Sequence, residues 1–147
     1  MEKTDIVSKE VAIQLRDLKY NEDCLFWRWN ITHKFPSGTI PNFETIQCGP
    51  FGGNHNAMPT RTSAPCKYEV RRWFKNKYGL YSYIFVDDDK TYCYYISYFI
   101  EDGRADKPLS GGYKSEEIAE DALIAKLIEE AYLSEAKKDE LAITNSI

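Results

Sequence analysis

The sequence predicts an α+β fold in which an antiparallel sheet, centred on a tyrosine-rich hairpin, is packed by about three helices. The segment from Tyr81 to Ile100 has aromatic and β-branched residues on both sides of an acidic turn, which is the pattern of a β-hairpin. Apolar residues also recur at helical spacing in three separate segments. With 147 residues, 43% of them apolar, the chain is long enough to bury a core without disulfide bonds.

The predicted hairpin strands are Tyr81–Val86 and Tyr92–Ile100. Alternation along the second strand assigns side chains to two faces: Tyr92, Tyr94, Ile96 and Tyr98 on one, Cys93, Tyr95, Ser97 and Phe99 on the other. Both faces are apolar, so either both are covered or the second face docks a partner. Tyrosine suits an interface because it offers a large area with few rotamers to restrict. The candidate interface residues are Tyr92, Tyr94, Tyr95 and Tyr98.

Two elements are expected before residue 31. Ser8 has the properties of a helix N-cap, and the helix that follows it is expected to end near Asn21. The segment Cys24–Asn30 alternates large apolar and other side chains and is expected to form a strand. The stretch Phe35–Thr62 contains too many glycines and prolines for a long regular element, although Phe43–Ile46 has the composition of a short strand. A long loop of this kind is usually functional or disordered.

Two further helices are expected in the second half. Ser63 is a candidate cap for the second helix, Pro65 suits its first turn, and Gly79 ends it. Ser115 caps the last helix. We expect one α+β domain over residues 1–133, followed by a polar C-terminal tail over 134–147 that frays.

The net charge of −4 is unevenly distributed along the chain. Between Arg28 and Tyr78 there are eight basic and two acidic residues (8 − 2 = +6), whereas the rest has 11 basic and 21 acidic residues (11 − 21 = −10). The basic residues on the second predicted helix are candidate nucleic-acid contacts: Lys67, Arg71, Arg72 and Lys75. The alternative is that these cations form the solvated outer side of a helix whose Trp73 and Phe74 are core residues.

The sequence predicts no catalytic, cofactor-binding or metal-ligating residues. His33, Cys48, His55 and Cys66 are of ligating types, but their spacing matches no compact zinc motif. Cys48 could serve as a thiol nucleophile and His55 as its base, but the sequence offers no third residue that would orient them. An enzyme is therefore the less favoured interpretation.

The sequence predicts no membrane span, because it has no apolar run near the roughly 18 residues that a span requires. It predicts no secretory signal, because the first residues, Met-Glu-Lys-Thr-Asp-Ile-Val, lack the basic-then-apolar layout of one. Cytoplasmic residence is the expectation, and reduced thiols are expected for the four cysteines.

Three segments resemble a known family. They are Val7–Cys24 (Val-Ser-Lys-Glu-Val-Ala and Leu-Lys-Tyr-Asn-Glu-Asp-Cys), Ser63–Gly79 (Ser-Ala-Pro and Val-Arg-Arg-Trp-Phe-Lys-Asn-Lys-Tyr-Gly) and Gly112–Ala122 (Gly-Tyr-Lys-Ser-Glu-Glu). Together they look like small uncharacterised proteins of gut Bacteroidetes and of their phages and mobile elements. This chain has Lys19 where that family's pattern has glycine. The resemblance implies a cytoplasmic, phage-like or element-borne protein and transfers no catalytic residue.

The leading functional hypothesis is an accessory protein that binds another protein through the aromatic sheet or the Phe35–Thr62 segment. The alternative is a nucleic-acid-binding domain that uses the basic helix over residues 64–78, and a second alternative is an enzyme of unknown type. Self-association through the sheet also stays open.

Overall fold

The structure is a computed structural model that describes residues 5–30, 34–40, 42 and 45–145. The chain forms two compact units, Met1–Val70 and Arg71–Ile147, called here the N-terminal and C-terminal units. The α-helices and strands among the described residues are, in order, α1 (Lys9–Asp17), β1 (Cys24–Trp29), β2 (Gln47–Gly53), β3 (Arg61–Ser63), α2 (Lys67–Tyr78), β4 (Tyr81–Val86), β5 (Tyr92–Ile100), β6 (Gly103–Asp106), β7 (Ser110–Tyr113) and α3 (Glu116–Asn145), and a short 3-10 helix, His55–Ala57, lies between β2 and β3. Helices combined with antiparallel sheets confirm the predicted α+β class.

The N-terminal unit contains a three-stranded antiparallel sheet in the order β2-β1-β3. β1 forms within the predicted segment and is the central strand. The expectation that Phe35–Thr62 contains no long regular element is met only in part, because the seven-residue strand β2 and the beginning of β3 lie within it. β2 is an edge strand, where a proline such as Pro50 and several glycines do not interrupt a second ladder of hydrogen bonds. The suggested strand Phe43–Ile46 lies partly outside the described residues.

Helix α1 begins as predicted. The Ser8 hydroxyl oxygen accepts a hydrogen bond from the backbone N–H of Val11 (3.3 Å), which satisfies one of the amides that the first helical turn leaves unpaired. Its inward residues Ala12 and Leu15 are buried.

The end of α1 is a left-handed cap. The N–H of Tyr20 donates to the carbonyl of Leu15 (2.9 Å), and the N–H of Lys19 donates to the carbonyl of Arg16 (3.0 Å). These are the two hydrogen bonds of a Schellman motif, and Lys19 has the left-handed φ of 67° that the motif requires. The helix therefore ends earlier than Asn21, at a position where glycine is the preferred residue.

Helix α2 ends as predicted at Gly79, which has a φ of 67°. The predicted cap at Ser63 is wrong, because Ser63 is the last residue of β3. The residue that precedes the helix is instead Cys66, whose backbone N–H donates to the Glu69 carboxylate (2.8 Å). This is the carboxylate half of a capping box, and it needs no serine.

The C-terminal unit contains a four-stranded antiparallel sheet built around β5. β4 pairs with one side of β5, from Tyr81 opposite Ser97 to Val86 opposite Tyr92. β6 and β7 share the other side, β6 along the last residues of β5 and β7 along its first residues. The predicted hairpin strands are confirmed at both ends.

Helix α3 packs against this sheet. Its predicted cap is confirmed, since the Ser115 hydroxyl accepts from the N–H of Ile118 (3.2 Å). One side of the helix is buried, namely Ala119, Leu123, Ile124, Leu127, Ile128 and Ala131. The helix continues to Asn145, through the described part of the segment expected to fray, and the residues there are mostly exposed. Among the described residues, no helix combines the length and the apolar character needed to cross a membrane.

Candidate functional site

The turn between β4 and β5 fixes which side chains lie on each face of the sheet. The N–H of Asp87 donates to the carbonyl of Thr91 (3.0 Å), and the N–H of Lys90 donates to the carbonyl of Asp87 (3.0 Å). The Asp87 carboxylate accepts from the Thr91 hydroxyl (2.9 Å) and from the N–H of Asp89 (3.0 Å). These hydrogen bonds, that of the Thr91 side chain foremost, lower the pKa of Asp87. Asp87 thus stabilises the turn and with it the register of the hairpin.

One face of the sheet is covered by α3. Ile96 and Tyr94 on this face are 1% and 8% exposed, and burial raises the pKa of Tyr94. The ammonium of Lys107 lies 5.3 Å from the ring centroid of Tyr98 on the same face and pairs with Glu130 of α3 (3.0 Å). We call this side of the sheet the covered face.

The other face carries five aromatic side chains. Tyr83, Phe85 and Phe99 are 38%, 38% and 67% exposed. We define the open face by its aromatic residues: Tyr81, Tyr83, Phe85, Tyr95 and Phe99. Cys93 and Ser97 share this side of β5 but are buried. A cluster of this kind is the exception on a protein surface, because aromatic side chains are usually covered.

The rings of the open face are held by contacts with one another. Tyr83 and Tyr95, which are cross-strand partners, stack with centroids 4.8 Å apart. Phe85 contacts the edge of the Tyr95 ring at 6.1 Å. Tyr81 and Phe99 meet edge to face at 5.3 Å. Since each ring restricts its neighbour, these aromatic side chains are ordered before any partner binds.

Two cations lie over this aromatic row. The Arg104 guanidinium is 5.8 Å from the ring centroid of Tyr83, and it pairs with Asp106 (3.1 Å). The Asp106 carboxylate also accepts from the hydroxyl of Ser97, and this hydrogen bond is the main reason that the pKa of Asp106 is lowered. The Lys75 ammonium of α2 is 5.3 Å from the Tyr81 centroid. Both cations are close enough for cation–π attraction.

Acidic turns flank the open face at both ends of β5. The turn from Asp87 to Asp89 precedes the strand, and the turn at Glu101 and Asp102 follows it. Asp88, Asp89, Glu101 and Asp102 are exposed. The face therefore has aromatic rings with two cations over them along its length, and carboxylates at its ends.

A groove begins at the end of the open face where Tyr81 meets Phe99. Its volume is about 470 Å³. These two rings form part of its lining, together with Tyr98, Lys107 and Leu133. Nearby Tyr78 donates its hydroxyl to the Glu135 carboxylate (3.0 Å), and burial together with this carboxylate raises the pKa of Tyr78. The groove has the size of a site for one or two side chains.

The four candidate interface tyrosines are divided between the two faces. Tyr92, Tyr94 and Tyr98 point to the covered side, and Tyr94 is buried there. Tyr95 is the one that belongs to the open face. Sequence reasoning missed Tyr81, Tyr83 and Phe85 of β4, although their alternation with Ser82 and Ile84 was a usable signal.

The candidate nucleic-acid residues of α2 have unequal environments. Lys67 is buried. The Arg71 guanidinium pairs with Glu120 (3.0 Å) and donates to the carbonyl of Ser82 (3.1 Å). Arg72 and Lys75 are exposed. Two of the four predicted side chains are thus presented to solvent on this helix.

The histidine and cysteine candidates do not form a metal site in the described part of the chain, where no three His, Cys, Asp or Glu side chains cluster. His33 lies outside the described residues. The His55 Nε2 atom is 3.1 Å from the carbonyl oxygen of Cys24, and burial lowers the pKa of this histidine. Cys48 is exposed on the edge strand β2, whereas burial raises the pKa of Cys66 to about 11, far from an activated thiolate.

Comparison with protein-family models, with curated proteins and with solved structures gives no match.

Proposed function

We propose that this is a non-enzymatic binding protein that engages another protein through the open face. The observation that supports this most directly is that Tyr83, Phe85 and Phe99 stay more than a third exposed, whereas Tyr94 and Ile96 in the middle of the opposite side are buried. Contiguous exposed aromatic side chains typically mark an interaction surface. Tyrosine and phenylalanine are also enriched in protein interfaces.

The aromatic rings of the open face have restricted conformations, and this favours binding. The stack of Tyr83 on Tyr95 and the edge contact of Tyr81 with Phe99 already restrict these side chains. Immobilising a side chain on association costs about 0.5–1.5 kcal/mol, and a preorganised ring avoids most of that cost. The groove beside Phe99 adds a concave site where one partner side chain can anchor.

Charge indicates what kind of partner fits. Acidic turns stand at both ends of the open face, so a complementary surface is apolar in its centre and basic at its rim. A second copy docked face to face about a two-fold axis would oppose acidic turns with acidic turns, which disfavours self-association by this surface. The same carboxylates repel nucleic-acid phosphates.

The test selects binders from a displayed library of short random peptides. We expect enriched peptides with apolar centres and Lys or Arg flanks. Substituting Phe99→Ser should weaken their binding by about tenfold or more, because Phe99 is the most exposed ring of the open face and lines the groove where a partner side chain can anchor. Leu141→Ser is the matched control, since Leu141 is also an exposed apolar residue, 61% accessible, but lies far along α3.

Three outcomes would contradict the proposal. These are the absence of enriched peptides, affinity that Phe99→Ser leaves unchanged, and a dimer in solution that this substitution dissociates. The last outcome would assign the open face to a second copy of the chain.

The second candidate function is binding of single-stranded nucleic acid. It is favoured by the positions of Lys75 and Arg104 over tyrosine rings, since bases stack on aromatic side chains while cations contact phosphates. Titration with labelled single- and double-stranded DNA at two salt concentrations tests it. Affinity that falls steeply with salt, and that Phe99→Ser abolishes, would establish this function instead.

The cellular setting is part of the proposal. The resemblance of three segments to proteins of Bacteroidetes, their phages and mobile elements supports an element-borne accessory role in the cytoplasm. All four cysteines are free thiols, as is usual in a reducing compartment.

A further inference from the structure

A second concave site lies in the N-terminal unit, and all its lining residues belong to that unit. Its volume is about 170 Å³. One side of α1 forms a wall through residues spaced three and four apart, and the end of β1 forms the opposite wall. The lining residues are Lys9, Ala12, Ile13, Arg16, Arg28, Trp29, Asn30 and Thr62.

The cavity is strongly cationic. Three of its eight lining residues are basic, and among the described residues that line it none bears a carboxylate. The carboxylate of Glu10, an exposed residue outside the lining, is 3.9 Å from the Lys9 ammonium, and an exposed pair of this kind is weak. Arg28 is only 7% exposed, so its charge acts through a medium that screens it less than water does. Several like charges around a concave, partly dehydrated site concentrate a positive potential there and attract anions.

The guanidinium groups are held in place by the backbone around them. Arg16 donates to the carbonyl of Met58 (3.3 Å) and also to the carbonyl of Arg61. Arg28 donates to the carbonyl of Val7 (3.0 Å). The partners of Arg16 are neutral oxygens, which orient this guanidinium without removing its charge.

The rest of the lining selects against a fully hydrated ion. Ala12, Ile13 and Trp29 present apolar surface to the cavity. An inorganic phosphate would have to lose water against these side chains without replacing its hydrogen bonds. A ligand with one charged end and a compact apolar body satisfies both halves of the lining.

We infer that this cavity binds a small organic carboxylate whose charge meets Lys9, Arg16 and Arg28 and whose planar or branched body contacts Trp29. The inference concerns the N-terminal unit alone and does not depend on the function proposed for the open face.

Three probes of matched size or charge test the inference on the full chain. Benzoate has the ring and the charge, benzamide has the ring without the charge, and inorganic phosphate has the charge without the ring. Binding is followed by NMR through the indole N–H resonance of Trp29. We expect saturable shifts of this resonance with benzoate and at least tenfold weaker binding of the other two, with benzoate affinity falling as salt is raised.

Variants then locate the charge. Lys9→Gln should weaken benzoate binding by about threefold or more, whereas Lys34→Gln, which removes an equal charge at an exposed residue outside the cavity, should leave it unchanged. Resonances assigned to the unchanged part of the sheet report whether either variant is folded. The inference is overturned if benzoate does not bind, if benzamide or phosphate binds equally well, or if both variants lose affinity alike.

Discussion

Gly111 of β7 lies so close to Cys93 of β5 that the sheet leaves no room for a side-chain atom at this glycine. A Cβ atom placed on Gly111 would be 2.7 Å from the Sγ of Cys93, whereas ordinary contacts begin at 3.4 Å. Gly111 does not have a positive φ, so an alanine there introduces this contact without backbone strain. Cys93 is buried and its thiol donates to the Asp87 carboxylate (3.3 Å), which limits how far the sulfur can move.

Gly111→Ala should therefore lower the free energy of unfolding by about 1–3 kcal/mol, the usual cost of overpacking. Removing the Cys93 sulfur should abolish this loss of stability. In a Cys93→Ala background the nearest remaining atom is the Cβ of residue 93 at 3.6 Å, which is ordinary van der Waals contact. There the same substitution should be neutral, or stabilising by up to about 0.5–1 kcal/mol, because alanine loses less backbone entropy than glycine. The two substitutions should couple by about 1–3 kcal/mol.

The assay is urea unfolding of the wild type, both single variants and the double variant, followed by circular dichroism and analysed with a common slope. Cys93→Ser is the control background, because its hydroxyl occupies the place of the sulfur and should keep most of the penalty of Gly111→Ala. Equal penalties in the wild-type and Cys93→Ala backgrounds would refute the proposed contact.

Three further predictions concern the caps, the hairpin turn and the core. Lys19→Gly should stabilise the protein by about 1 kcal/mol, since Lys19 has a left-handed φ of 67° that glycine adopts without strain. Lys137→Gly within α3 should destabilise it by a similar amount. Midpoint temperatures of thermal unfolding that shift in the same direction for both variants would contradict this. The folded-state pKa of Asp87 is lowered, so its contribution to stability is present above the unfolded pKa of about 4 and is lost as pH falls through the folded value. Asp87→Asn should therefore lower stability at pH 7 and reduce its loss on acidification, and Asp88→Asn should do neither. Leu127→Ala should cost about 2–5 kcal/mol in chemical unfolding, because Leu127 is fully buried, and a smaller loss would mean that the core closes around the cavity.

The elements that the sequence predicted correctly depend on neighbouring residues. The hairpin strands Tyr81–Val86 and Tyr92–Ile100 form where alternation and the acidic turn place them. The caps at Ser8 and Ser115 form because a hydroxyl needs only an amide three residues away. Gly79 ends α2 because its left-handed φ is a property of that residue.

The elements that the sequence missed depend on distant residues. β2 and β3 are stabilised by pairing with β1, and neither the glycine-rich sequence of β2 nor the three residues of β3 indicate that partner. Ser63 was expected to cap a helix, but it joins β3 and its hydroxyl accepts from the N–H of Asn56 (3.2 Å). The hydroxyl of Ser63 bonds to Asn56 and not to a helix amide because folding of the unit places Asn56 beside Ser63.

The candidate site shows the same division between local and distant information. The sequence by itself determined that β5 has two aromatic faces, since side-chain alternation follows from backbone geometry. Only the tertiary structure decided that α3 covers Tyr94 and Ile96 while Tyr95 and Phe99 stay accessible. The physical reason is that burial depends on which element packs against a surface, and an apolar residue satisfies the same pattern on a covered face and on an open one.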